Sequence, residues 1–149
     1  MSDEAVSIRP LGKGDREEWS RLWHAYLDFY EASVEDAIYE NTFARLVDPA
    51  IMDMGCFIAE MEGSPVGLVH FIQHPHNWRI EDVIYLQDLY AEPSMRGKGV
   101  GRRLIEAVYA EADRRGAPSV YWLTQDFNTQ ARKLYDRIAT VTPFVKYQR

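Results

Sequence analysis

The sequence predicts an α/β protein built on one mixed, mostly antiparallel sheet, with a parallel strand pair at its centre and about four helices around it. Two observations carry this expectation. Apolar strand-like runs flank Glu62-Gly63-Ser64-Pro65, which marks a hairpin in the first half of the chain. In the second half a strand, a glycine-rich loop, an amphipathic helix and another strand follow in turn, and strands joined through a helix pair in parallel. Residues 1–149 read as a single domain, because no linker, repeat or low-complexity tract divides them and the length suits one core.

Val6-Ser7-Ile8-Arg9-Pro10-Leu11 alternates and ends in Gly12-Lys13-Gly14, a short first strand and a turn. Asp15 and Glu18 have capping-box spacing, and beyond them Trp19, Leu22, Trp23, Tyr26, Leu27 and Tyr30 share one helical face. A second helix is expected from about Val34 to Val47, stopped by Asp48-Pro49. Strands follow at Phe57 to Met61 and Val66 to Ile72. In the next loop, His74 and His76 lack a third ligand at metal-binding spacing, so no metal is expected. Val83 to Leu86 and Leu89 to Ala91 form a fourth strand. Gly99 to Arg115 is a helix with Val100, Leu104, Ala107, Val108 and Ala112 on its apolar face, ended by Gly116 and Pro118. Ser119 to Thr124 is a fifth strand, Asn128 to Ile138 a short helix, and Thr140 to Tyr147 a final extended segment broken by Pro143.

With 46% hydrophobic and 27% charged residues the chain has the composition of a globular protein. No apolar run approaches the roughly 20 residues that span a bilayer, and the polar opening Met1-Ser2-Asp3-Glu4 lacks the pattern of an export signal. A cytoplasmic protein without a membrane partner is expected. Cys56 is the only cysteine, which excludes an internal disulfide and a thiolate metal cluster; its strand-like surroundings mark it as packing. Residues 1–50 hold eleven acids and five bases, whereas 51–149 hold twelve of each, so the net charge of −6 arises in the N-terminal third. An acidic front argues against a nucleic-acid partner and for a cationic one.

Arg96-Gly97-Lys98-Gly99-Val100-Gly101 lies between a strand and a helix, where alternate glycines and unpaired helix N–H groups suit a pyrophosphate. The spacing excludes a P-loop, which needs four residues before Gly-Lys-Ser/Thr. A dinucleotide fingerprint also fails, because Arg102 stands where its third glycine belongs. Downstream, the seven-residue step from Asn128 to Tyr135 puts both on one helical face, about 10 Å apart along the axis.

Taken together, Tyr85-Leu86-Gln87-Asp88-Leu89-Tyr90-Ala91-Glu92-Pro93, the glycine loop, Tyr121-Trp122-Leu123-Thr124, and Asn128, Ala131 and Leu134-Tyr135 resemble the GNAT family of acetyl-CoA-dependent N-acetyltransferases. The resemblance is specific over 83–138 and is nearest the small polyamine, histone and amino-acid acetyltransferases. It implies the GNAT fold, in which a bulge splays the fourth strand from the fifth, and acetyl-CoA as the cofactor. Main-chain groups of Leu89, Tyr90 and Ala91 would pair with the pantetheine arm. The pyrophosphate would sit on Arg96, Gly97, Lys98, Gly99, Val100 and Gly101, with Arg96, Lys98 or Arg102 supplying charge. Tyr135 takes the general-acid role toward the departing thiolate, and Asn128 orients the pantetheine or an ordered water.

An alkyl ammonium has a pKa near 10, so at neutral pH only about one molecule in a thousand is free base and a proton acceptor is needed. Where the polyamine enzymes carry a glutamate this chain has Gln87. Asp88 is the neighbouring candidate, but regular alternation points it to the other sheet face unless a bulge reorients it; Glu81, Asp82, Glu92 or a water relay are the alternatives. Tyr30, Glu31, Glu35 and Gln87 are the candidate acceptor-binding residues. The resemblance implies a homodimer and a primary amine acceptor, with a small polyamine or amino acid first. A protein lysine or N-terminus is the second reading, and a noncatalytic acyl-CoA-binding module the third.

Overall fold

The computed structural model describes residues 5–149; Met1 to Glu4, on which the expectation about an export signal rests, lie outside the described residues. The chain runs β1 (Val6–Pro10), α1 (Arg16–Phe29), α2 (Asp36–Val47), β2 (Met54–Met61), β3 (Ser64–His74), β4 (Val83–Ala91), α3 (Val100–Arg114), β5 (Val120–Tyr121) and α4 (Thr129–Ile138), with short 3-10 turns before α1 and after β4. The five strands lie in chain order, antiparallel from β1 through β4 and parallel between β4 and β5. That is the mixed, mostly antiparallel sheet expected, but the parallel pair lies at one edge among the described strands and not at the centre, because β5 is the last strand in the order and nothing described pairs beyond it. The tight loop between β2 and β3 consists of Glu62 and Gly63, both at positive φ (52° and 79°), as the twist of a two-residue hairpin demands.

Helices cover both faces. On one, Trp19, Leu22 and Trp23 of α1 and Phe43 of α2 bury Cys56, Ile58 and Leu68. On the other, Val100, Leu104, Ile105 and Val108 of α3 bury Ala59, Val69, Phe71 and Ile84, and Leu134, Tyr135 and Ile138 of α4 pack against the same core. The apolar spacings in α1 and α3 therefore do what periodicity predicts. Close approach of α3 requires Gly67 in β3, where an added Cβ would lie 2.7 Å from the Tyr90 carbonyl oxygen and 3.0 Å from Val100 Cγ1. Gly67→Ala is expected to lower stability by about 1–3 kcal/mol, the usual penalty of overpacking, read as a lower urea midpoint.

Three boundaries differ from the periodicity. Helix α2 starts at Asp36, with Glu35 extended as its N-cap. Strand β5 is limited to Val120–Tyr121 because β4, its ladder partner, pairs with it only at Ile84 and Tyr85. Residues 140–149 form neither helix nor strand, and Val141, Phe144, Val145 and Tyr147 are exposed there. No described helix is long and apolar enough to cross a membrane.

Candidate active site

Strand β4 changes phase at Gln87. His70 of β3 pairs with Asp88 and Phe71 with Leu86, so Gln87 is the extra residue of a bulge. Ile84 and Leu86 before it face the α3 side, and so do Leu89 and Ala91 after it. Regular alternation would have sent Asp88 to that side as well. The inserted residue resets the alternation and turns Asp88 toward α1, where Trp23 Nε1 donates to it at 3.2 Å. The bulge thus reorients the carboxylate.

Past Tyr85 and Tyr121, whose rings stack at 4.9 Å, no described strand pairs the outer edge of β4. A narrow cleft of about 20 Å³ opens in the gap. Leu86, Gln87 and Leu89 line it from β4, Trp122 and Leu123 from beyond β5, Tyr26 and Tyr30 from α1 and its end, and Tyr135 from α4. Tyr135 stands edge-on to Trp122, with ring centroids 5.4 Å apart. Burial, with a smaller contribution from nearby Tyr30, pushes the Tyr135 hydroxyl up to about 12, so it holds its proton and can donate it.

Asp88 lies half-buried beside this cleft within a polar network. Its Oδ2 lies 2.7 Å from His70 Nδ1, and His70 Nε2 accepts from Trp19 Nε1 at 2.9 Å. Tyr26 joins the carboxylate to the cleft: it lines the cleft and also faces Asp88. Burial first, and then the charge of Asp88, raise the Tyr26 pKa. The other candidate bases are engaged at the ends of β4. Glu92 pairs with Arg21 at 2.7 Å, Glu81 with Arg79 at 3.5 Å, and Asp82 accepts from Gln73 at 2.9 Å.

Beyond β4 the glycine loop leads into α3. Gly97 and Gly99 have φ of +77° and +76°, with open space where a Cβ would stand. Gly99 is the N-cap of α3, so the first N–H groups of a fifteen-residue helix open onto the loop. Arg96, Lys98 and Arg102 are exposed around it, Arg102 within 3.4 Å of Glu106. A splayed strand, a glycine loop capping a long helix and a half-buried tyrosine on the last helix occur here together. The GNAT acetyltransferase family model matches residues 19–139, which contain all three.

The chain belongs to the GNAT acetyltransferase family. It is 37% identical over 150 residues to the D-amino-acid N-acetyltransferase HPA3 of Saccharomyces cerevisiae, covering 100% of this chain and 93% of that one. It is also 31% identical over 121 residues to a thialysine N-epsilon-acetyltransferase of Mus musculus, covering 79% and 68%. Among solved structures, the aminoglycoside N-acetyltransferase AAC(6')-Iy in complex with CoA superimposes with a TM-score of 0.84 over 97% of this chain and 94% of that one, at 21% identity. At that identity the likeness speaks for the fold.

Within this GNAT enzyme the residues read from the sequence fall into three groups. Gln87, Leu89, Tyr30 and Tyr135 meet at the cleft. Asn128 caps α4, its side chain accepting from Ala131 N at 3.4 Å and donating to Thr124 Oγ1 at 3.4 Å, so it holds the helix that presents Tyr135. Glu31 and Glu35 stand exposed on the connection between α1 and α2, outside the cleft lining. Sequence reasoning passed over Tyr26, His70 and the indole N–H groups of Trp19 and Trp23. A signal existed in the two tryptophans, four apart on a buried helix face, since each carries a donor that needs an acceptor in the core.

Proposed function

We propose that this GNAT enzyme transfers the acetyl group of acetyl-CoA to the amine of a small molecule, an amino acid or a polyamine. The observation that carries the reading is the cleft at the bulge, with the protonated Tyr135 hydroxyl on one side and Tyr26, backed by Asp88, on the other. An acid and a route to a base thus flank one narrow gap, as amine acylation requires. The names of the yeast and mouse relatives, which act on an amino acid and an amino-acid analogue, support the substrate class.

The residues present fit CoA. Gly97 and Gly99 leave open space where a Cβ would be, and the unpaired edge of Leu89, Tyr90 and Ala91 offers a β-like partner to an amide-bearing arm. In this reading Arg96 to Gly101 hold the pyrophosphate, with Arg96, Lys98 and Arg102 adding charge. When bound, the cofactor supplies an electrophilic thioester carbonyl. Asp88 draws the proton from the acceptor ammonium through the Tyr26 hydroxyl, which gives up its own proton to the carboxylate as it receives one. Tyr135 donates its hydroxyl proton to the departing sulfur, and Asn128 keeps α4 and the cleft wall in place. Tyr30 and Gln87 contact the acceptor, while Glu31 and Glu35 draw a cation toward the mouth.

Gly99→Val is expected to weaken CoA binding about tenfold or more, because a β-branched residue resists positive φ and the loop must rearrange; calorimetric titration checks it. The substrate reading is tested by an acetyl-CoA assay over amino acids of both hands, polyamines, aminoglycosides and lysine peptides. Highest kcat/KM on an amino acid or polyamine is the expected result. Preference for peptides would turn the reading to a protein acceptor, and CoA binding without turnover on any amine would favour the noncatalytic module. We further propose a cytoplasmic homodimer, in which a second copy covers Val141, Phe144, Val145 and Tyr147. Sedimentation at twice the chain mass is expected.

A further inference from the structure

We propose that His70 is a positioning residue for acetyl transfer: held by Trp19 as its Nδ1–H tautomer, it closes Oδ2 of Asp88 and leaves Oδ1 as the oxygen that takes the amine's proton. The inference rests on the reading of Asp88 as proton acceptor given above, and goes beyond it in naming what sets that carboxylate.

The geometry permits one assignment of protons. An indole nitrogen can only donate, and Trp19 Nε1 lies 2.9 Å from His70 Nε2, so Nε2 must offer its lone pair. Trp19 is 0% and His70 5% exposed, so solvent does not compete for that bond. The imidazole is therefore neutral with its hydrogen on Nδ1, and Nδ1 donates to Asp88 Oδ2 at 2.7 Å. Trp23 Nε1 donates to the same oxygen at 3.2 Å. An oxygen already receiving two N–H groups is a poor place for a third proton, and Oδ1 is left to accept it. Ring contacts hold the imidazole in this orientation, with Trp19 and Trp23 centroids at 6.0 Å and 5.7 Å. Turning the ring over would break both of its hydrogen bonds. His70 stands opposite Asp88 in the β3–β4 register, next to the bulge, so the residue that shapes the cleft also brings the pair together.

The test combines a spectroscopic and a kinetic measurement on the full chain. In nitrogen-15 spectra of histidine-labelled protein at neutral pH, His70 is expected to show a protonated Nδ1 and an unprotonated Nε2. His70→Leu should lower kcat about tenfold or more while the Kd for acetyl-CoA stays within about twofold. His70→Asn, whose amide can donate from the place of Nδ1, should recover most of the rate, and His70→Gln, whose amide reaches the place of Nε2, should not. An Nε2–H or doubly protonated ring overturns the proposal, and so does equal kcat in the Asn and Gln variants, a comparison that stands even where His70→Leu does not fold. A full-rate Asp88→Asn enzyme removes the base itself, and with it the role of His70. A slow Asp88→Asn enzyme beside a full-rate His70→Leu enzyme removes His70 alone.

Discussion

Asp88→Asn is expected to lower kcat for amine acetylation by about 10²–10⁴-fold at neutral pH, the range lost when a general base is removed. The substitution isolates proton transfer because an amide oxygen can still accept from His70 Nδ1 and Trp23 Nε1, so the buried network keeps its bonds. What the amide cannot do is take the proton that Tyr26 passes on. The variant then depends on acceptor already present as free base, a fraction that rises about tenfold per pH unit until the amine's pKa near 10. Its rate should climb steeply across the alkaline range where the wild type has flattened. A pH-rate profile following release of the CoA thiol measures both. Wild-type turnover at neutral pH would exclude Asp88 as the base and return the choice to a water relay.

For Tyr135→Phe, turnover should fall about a hundredfold with little change in CoA affinity. Phenylalanine keeps the edge-on contact with Trp122 and the packing of α4, and loses only the hydroxyl. Because burial and Tyr30 push that hydroxyl up to about 12, it stays protonated throughout the working range, and the wild-type rate should show no alkaline loss from it below about pH 11. Stability carries a second signature. A folded-state pKa above the unfolded value of about 10 stabilises the fold fully below pH 10 and loses that contribution as pH rises toward 12. The variant lacks this linkage, so its thermal midpoint should decline less steeply than the wild type's above pH 10. Unchanged turnover would remove the general-acid assignment.

Much of the scaffold was legible because its determinants are local. The apolar spacing of Trp19, Leu22 and Trp23, the alternation around Glu62 and Gly63, and the cap Asn128 followed by Tyr135 depend on residues a few positions apart. The glycine loop was legible for the same reason, since Gly97 and Gly99 adopt positive φ within their own segment. The extent of β5 was not, because a strand's length depends on its neighbour, and β4 leaves Trp122 to Thr124 without a ladder. The extended segment after Thr140 failed likewise, since β-propensity in Val141, Phe144 and Val145 needs a partner strand to act on.

By itself, then, the sequence determined the order of elements, the glycine loop that opens α3 and the place of Tyr135 on the last helix, all properties of short windows. The tertiary structure alone decided which carboxylate lies beside the cleft. Only when β4 is laid against β3 does Gln87 become the unpaired residue, and that one-residue slip carries Asp88 from the α3 face to His70 and Trp23. The phase of a strand is set by its pairing partner, and the partner here lies 18 residues away in the chain.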